Sequence, residues 1–174
     1  MTGEIHEGEN PFFAPEEARD AIRSLRGRLV APVAIVTAGS GDGRAGLTVS
    51  SLEFVQGEPG TVHFTVGPTA DVFDAIRETD RFVMHVLARR HRDLSEVFAG
   101  RRPSPGGPFA EVETTSTEWG PVIDTIPDRA FCSGASASGH GHSLLVIATV
   151  DRAEISDLSD PLVYFRGRYR GLEE

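Results

Sequence analysis

The sequence predicts a mostly β fold, a β-barrel with short helices over its openings. Three observations carry that expectation. Apolar, β-branched blocks recur from residue 29 to residue 165. The helical stretches between them are short and fall irregularly, whereas βαβ units would place a helix between every pair of strands. Neither an internal repeat nor a linker divides the chain, and its 174 residues suit one domain. A chain of this size buries about 70% of its unfolded surface, enough for a core without staples.

The elements follow in order. Residues 1–14 lack a period and contain Gly, Asn and Pro, so they read as an N-terminal arm ahead of a domain over 15–174. From Pro15, PEEARDAIRSLRG reads as a helix: Pro15 near its start, Glu16 and Glu17 at its positive end, Gly27 after it. Ala18, Ala21, Ile22 and Leu25 form its apolar stripe.

Leu29–Ala38 (LVAPVAIVTA) is a buried strand, with Pro32 marking an edge, a bulge or its beginning. GSGDGR is hairpin chemistry in which Asp42–Gly43 takes positive φ, and Gly46–Phe54 is the returning strand. Glu58–Pro59–Gly60 turns the chain into a strand over Thr61–Val66. Thr69 is placed to cap a helix in TADVFDAIRET whose Val72, Phe73 and Ile76 face inward. Strands over Arg81–Leu87, Phe131–Ser138, Ser143–Ile155 and Pro161–Phe165 complete the barrel, with a short helix at Asp93–Ala99 stopped by Gly100 and a loop at 101–108.

Composition narrows the function. The formal net charge of -9 argues against nucleic acid, whose binders carry a basic excess. No apolar run approaches the roughly 20 residues needed to span a bilayer, and the polar, acidic start resembles no leader. With a single cysteine, Cys132, the chain forms no internal disulfide and reads as cytoplasmic. Arginine is locally dense in His91–Arg92, Arg101–Arg102 and Arg166–Arg170, suited to a phosphate-bearing ligand.

Reaction motifs are scarce. GSGDGRAG is neither a P-loop nor a dinucleotide fingerprint, and GASASG lacks the spacing of a nucleophile elbow. Paired carboxylates for glycoside chemistry do not stand out among 26 acidic residues. His140 and His142 would share one face of an extended strand and suit a metal, yet Cys132, His63 and His85 lie at no metal-ligand spacing. His85, inside an apolar strand, reads as a core or lining histidine. In GLTVSS, Thr48, Ser50 and Ser51 are either ordinary strand hydroxyls or donors to a phosphate or flavin.

PVAIVTA (32–38), GLTVSS (46–51), DAIRETDRFVMHVL (74–87), LSEVFAG (94–100) and PLVYFRGRYRGL (161–172), in that order, resemble the flavin reductase family over residues 18–172. The resemblance implies the FMN-binding split barrel, six antiparallel strands in a Greek-key-like order, in a homodimer with flavin near its interface. It implies reduction of FMN or FAD by NADH or NADPH, as the reductase component of a two-component flavin-dependent monooxygenase. By position, Thr48, Val49, Ser50 and Ser51 would contact flavin, with Thr69 and the backbone of Gly67 and Pro68 near its phosphate. His85, Arg166 and Tyr169 are further cofactor-binding positions.

Three departures from the family pattern are visible. His85 stands where Asn is frequent, and Val66–Ala70 (VGPTA) replaces a serine-rich turn. The usual Gly-Asp-His becomes Gly139–His140–Gly141–His142. His142 takes the place of that histidine, which is tied to nicotinamide binding and reductase activity, if one residue is inserted; otherwise Ser143 does. Two alternatives stay open: a flavin-binding electron carrier or oxidase of the same fold, and a haem- or ligand-binding sensor module.

Overall fold

The computed structural model describes residues 16–172; the arm and Pro15 lie outside the described residues. Helix α1 (Glu16–Arg26) forms as its composition predicts, but Ile22 and Leu25 of its stripe are exposed. The apolar run that follows is two strands rather than one. β1 (Ala31–Pro32) joins a small sheet, Val33 interrupts, and β2 (Ala34–Ala38) enters the main sheet. Every residue of β2 is buried, because both faces of the sheet are covered there.

A second expected strand also splits. After a turn whose positive φ falls on Gly39 and Gly41, not on Asp42–Gly43, β3 (Ala45–Val49) and β4 (Leu52–Val55) are separated at Ser50–Ser51. β3 pairs with β2, whereas β4 pairs with β5 (Thr61–Val66). Helix α2 (Asp71–Thr79) follows, capped by Ala70 without a side-chain bond, so Thr69 is not its cap. It buries Val72, Phe73, Ala75 and Ile76, and ends on Asp80 in the left-handed conformation, where Asp is tolerated.

β6 (Arg81–Val86) and helix α3 (Arg92–Phe98) match expectation closely. Sequence reading missed the hairpin of β7 (Thr114–Thr117) and β8 (Gly120–Ile123). The small-residue strand is longer than predicted: β9 (Arg129–His140) and β10 (Ser143–Glu154) form a hairpin of 12 residues each. β11 (Val163–Phe165) turns into the unpredicted β12 (Arg168–Arg170), and β11 lies between β1 and β12 in the small sheet.

The main sheet runs β3-β2-β6-β9-β10-β5-β4, its pairings antiparallel. Its two outer members are consecutive in the chain, so β3–β4 is one broken strand that reaches both edges of a curled sheet. Counted that way, the barrel has the expected six strands. The seam is stitched where it breaks, by the Thr65 N–H donating to the Ser51 carbonyl at 3.2 Å.

Alternation gives two main cores, with a smaller cluster of Val83, Val122 and Phe131 beside them. Ala34, Val36, Val49, Phe64, Phe82, Met84, Cys132 and Val146 point into the barrel, which α2 closes. Val33, Ile35, Leu87, Phe98, Phe109, Ile123 and Leu162 form a second core outside it, under α3 and β8. Gly46 lies at that outer core: a Cβ there would stand 2.5 Å from the Phe98 ring. The backbone of β3 approaches α3 that closely because residue 46 has no side chain.

Candidate functional site

The break in β3–β4 opens onto a cleft of about 350 Å³. Ser50 lines it from the strand, Arg23 and Arg26 from α1, and Tyr164, Arg166 and Tyr169 from the β11–β12 hairpin. That hairpin turns on Arg166 (φ 49) and Gly167 (φ 77), two left-handed residues in succession, as a tight type I′ turn requires. The Arg166 N–H donates to the Gly27 carbonyl at 3.2 Å, fixing the turn to the end of α1.

Tyr164 and Tyr169 meet edge to face, their centroids 5.3 Å apart. Arg101 completes the wall. Its guanidinium lies 5.3 Å from the Tyr164 ring centroid and donates to the Tyr164 hydroxyl at 3.3 Å. That hydrogen bond, with the two rings and Glu96 nearby, holds Arg101 above its ordinary pKa and hence fully charged. An aromatic wall with a rim of guanidinium groups suits a flat, anionic ligand.

The hydroxyls of GLTVSS divide sharply. Thr48 donates to the Ser95 carbonyl of α3 at 2.7 Å, a structural tie. Val49 is buried in the barrel core. The Ser51 hydroxyl accepts from the Thr65 N–H (3.1 Å) and from the Thr65 hydroxyl (2.7 Å), and closes the seam. Ser50 is half-buried, lines the cleft, and forms no side-chain hydrogen bond among the described residues.

Two expected groups are not in the cleft lining. Gly67, Pro68 and Thr69 follow the end of β5, two residues beyond the Thr65 that Ser51 holds. Leu144 pairs with Val66, so the tip of the β9–β10 hairpin flanks Gly67. That tip is a two-residue turn, Gly141 (φ 60) and His142, between paired His140 and Ser143. His140 and His142 therefore do not share a strand face, since His142 lies in the turn. Among the described residues no group of three or more His, Cys, Asp or Glu is arranged to hold a metal.

His85, expected among the cofactor-binding positions, does not line this cleft. It is fully buried in β6, away from the cleft lining. Its Nε2 accepts the Ile123 N–H at 3.1 Å, which leaves Nδ1 protonated and donating to the Ile35 carbonyl at 3.1 Å. Burial pulls its pKa down to about 4, with the charge of Arg129 adding to the shift. The ring is a neutral bridge between β2, β6 and β8. Cys132 is likewise inert: burial pushes its thiol up to about 12.

Arg101, Tyr164, Arg23 and Arg26 are lining residues that sequence reading did not place at the site. The density of arginine at 101–102 is the signal that pointed toward Arg101; nothing in the sequence pointed to the other three.

Comparison with known proteins agrees with this architecture. The flavin reductase like domain profile matches residues 26–173. The chain is 32% identical over 170 residues to the FMN reductase (NADH) RutF of Stutzerimonas stutzeri strain A1501, covering 95% of each. It is 27% identical to HsaB of Mycobacterium tuberculosis, the reductase subunit of a flavin-dependent monooxygenase, covering 87% of this chain and 81% of that one. In fold it resembles the flavin reductase PheA2, with a TM-score of 0.79 at 23% identity over 89% of this chain and 98% of the other. It also resembles BorF, the reductase component of a bacterial two-component tryptophan halogenase, with a TM-score of 0.78 at 24% identity over 90% and 99%. The split-barrel architecture, the interrupted GLTVSS strand and the match across nearly the whole domain establish that the chain belongs to the flavin reductase like domain family.

Proposed function

We propose that the chain reduces a flavin, FMN or FAD, with a hydride from NADH or NADPH, and supplies reduced flavin to a separate oxygenase component. Family membership supports the reaction class, and the named activities of RutF and HsaB support the electron donor and the destination. One observation carries the placement. Ser50 presents a half-buried hydroxyl without a side-chain partner among the described residues, in a cleft walled by tyrosines and arginines. The cleft volume of about 350 Å³ lies in the roughly 300–1,000 Å³ range of small-molecule sites.

A bound flavin supplies a ring that takes up a hydride, so the protein is asked for position rather than for a nucleophile. Tyr169 and Tyr164 would bound the ring, and Ser50 with the backbone of Thr48–Ser51 would offer donors to its polar edge. Arg101 and Arg166 would favour its anionic form. Thr69, with Gly67 and Pro68, would hold the flavin phosphate, and His142 on the adjacent hairpin tip would contact the nicotinamide. Exposed Ile22, Leu25, Leu29 and Val30 border the cleft wall and need a cover, which a second copy would supply in a homodimer.

Titration of the purified chain with FMN and FAD, followed by NADH and NADPH oxidation with each, tests the reading. Saturable flavin binding with turnover is expected. Tight binding without turnover would overturn it in favour of an electron carrier or oxidase, and a Soret band on haem titration in favour of a sensor. His142→Ala should raise the apparent KM for the nicotinamide dinucleotide; unchanged KM and turnover remove His142 from the site. Sedimentation should give a dimer, and a monomer would leave the apolar border of the cleft unexplained.

A further inference from the structure

Beside the cleft lies a second, smaller cavity of about 270 Å³. Arg89, Arg92 and Arg170 line it, with Leu162, Gly171 and Tyr169. Tyr169 borders both spaces, so the small cavity continues the cleft past one aromatic ring. Gly171 packs tightly against it: a Cβ there would stand 2.6 Å from Arg89 Cδ and 2.6 Å from Asp160 Oδ1. Only a residue without a side chain packs there.

Three guanidinium groups around one small polar cavity repel one another, and this happens in a chain of net charge -9. Asp160 faces Arg89 at 4.0 Å and offsets one of them. Neither Arg92 nor Arg170 forms an ion pair with any described residue. Among the described residues two positive charges thus remain without counter-charge, which matches the two negative charges, one per phosphoryl group, of a dinucleotide's pyrophosphate bridge. Arginine forks bind phosphate oxygens in pairs, with more geometric selectivity than a lysine point charge.

Building on the proposed function, we infer that this cavity is an anion subsite for a phosphoryl group of an adenosine phosphate whose dinucleotide partner ring occupies the cleft. FAD and the nicotinamide dinucleotides both carry that chemistry. The subsite therefore discriminates dinucleotides from FMN, or strengthens binding of the hydride donor.

Calorimetric titration with ADP and with adenosine tests it without turnover. ADP should bind more tightly than adenosine, and Arg92→Gln or Arg170→Gln should each weaken ADP by about fivefold or more. Arg168→Gln removes the same charge from the same strand outside the cavity and should leave ADP affinity unchanged. Equal binding of ADP and adenosine, or equal loss in all three variants, overturns the inference. A fall in the FAD-to-FMN affinity ratio of Arg92→Gln and Arg170→Gln assigns the phosphate to flavin, and a raised KM for NADH or NADPH assigns it to the donor. FMN binding by the unaltered protein separates the two proposals. If FMN binds and ADP does not discriminate, the subsite alone fails; if ADP discriminates and FMN does not bind, the flavin reading alone fails.

Discussion

Two regions of the barrel carry polar side chains on strands, and they use them in opposite ways. In the middle of the sheet, β2 and β6 are covered on both faces, and Thr37 and His85 are fully buried. Thr37 donates to the Pro121 carbonyl at 2.5 Å, and His85 is bonded to backbone through both ring nitrogens. At the seam between β3 and β4, Thr48 and Ser51 are spent on structure while Ser50 between them is not. A polar residue on a strand is thus a weak pointer to function until its partners are counted. Both buried side chains are tied to backbone partners, and the seam keeps one hydroxyl beside a cleft.

The largest effect expected from this contrast is at His85. His85→Leu keeps the volume but leaves the Ile35 carbonyl and the Ile123 N–H buried without partners, at a cost of roughly 3–5 kcal/mol. Urea unfolding at neutral pH measures it. A variant with unchanged stability and lost flavin affinity would instead make His85 a cofactor-binding residue.

The same ring makes stability depend on pH. Its folded pKa of about 4 lies below the unfolded value of 6.5, so its contribution is whole above about pH 6.5. As pH falls from there toward 4, the unfolded chain takes up a proton that the folded chain refuses. Roughly 2–3 kcal/mol should be lost between pH 7 and pH 4.5 through this group. Unfolding curves of the unaltered chain and of His85→Leu at both pH values isolate it, since the variant lacks this component. Equal pH dependence in the two proteins would contradict the buried, neutral ring.

Much of the barrel was legible because burial on two faces writes a continuous apolar run and burial on one face writes alternation. PVAIVTA and RFVMHVL carry that signal, and β2 and β6 form where they stand. The breaks were not legible. Nothing in LVAPVAIVTA states that its first two paired residues join another sheet, and nothing in GLTVSSLEF states that its halves pair with opposite edges. Both facts depend on how the sheet curls, which is tertiary. β7, β8 and β12 are short and draw their stability from neighbours rather than from their own composition. Within the site, residue type and order singled out Ser50, Arg166 and Tyr169 as positions of interest. Arg101 and Tyr164 reach the cleft from distant segments, and only the fold brings them there.

At the seam the expected effects are smaller and fall on binding. Tyr169→Leu removes one wall of the cleft and the edge-to-face pair with Tyr164. Flavin affinity should drop about tenfold, or about 1.4 kcal/mol, read by flavin fluorescence titration. An unchanged affinity would move the ring away from the tyrosine wall and leave the cleft to some other ligand.

The finest test compares neighbours. Ser51→Ala removes the acceptor of the Thr65 hydroxyl and leaves the Thr65 N–H only the Ser51 carbonyl, so stability should fall by about 1 kcal/mol. Ser50→Ala removes no such bond, and its stability should stay within about 0.5 kcal/mol of the parent. Flavin affinity should behave in the reverse order, weakening several-fold for Ser50→Ala on loss of one hydrogen bond to the ligand. Thermal unfolding and flavin titration of the two variants together give a crossed pattern that overall loosening of the strand cannot produce. If both properties fall together in both variants, the division of labour between adjacent serines is wrong, and the seam is one structural unit like the covered middle of the sheet.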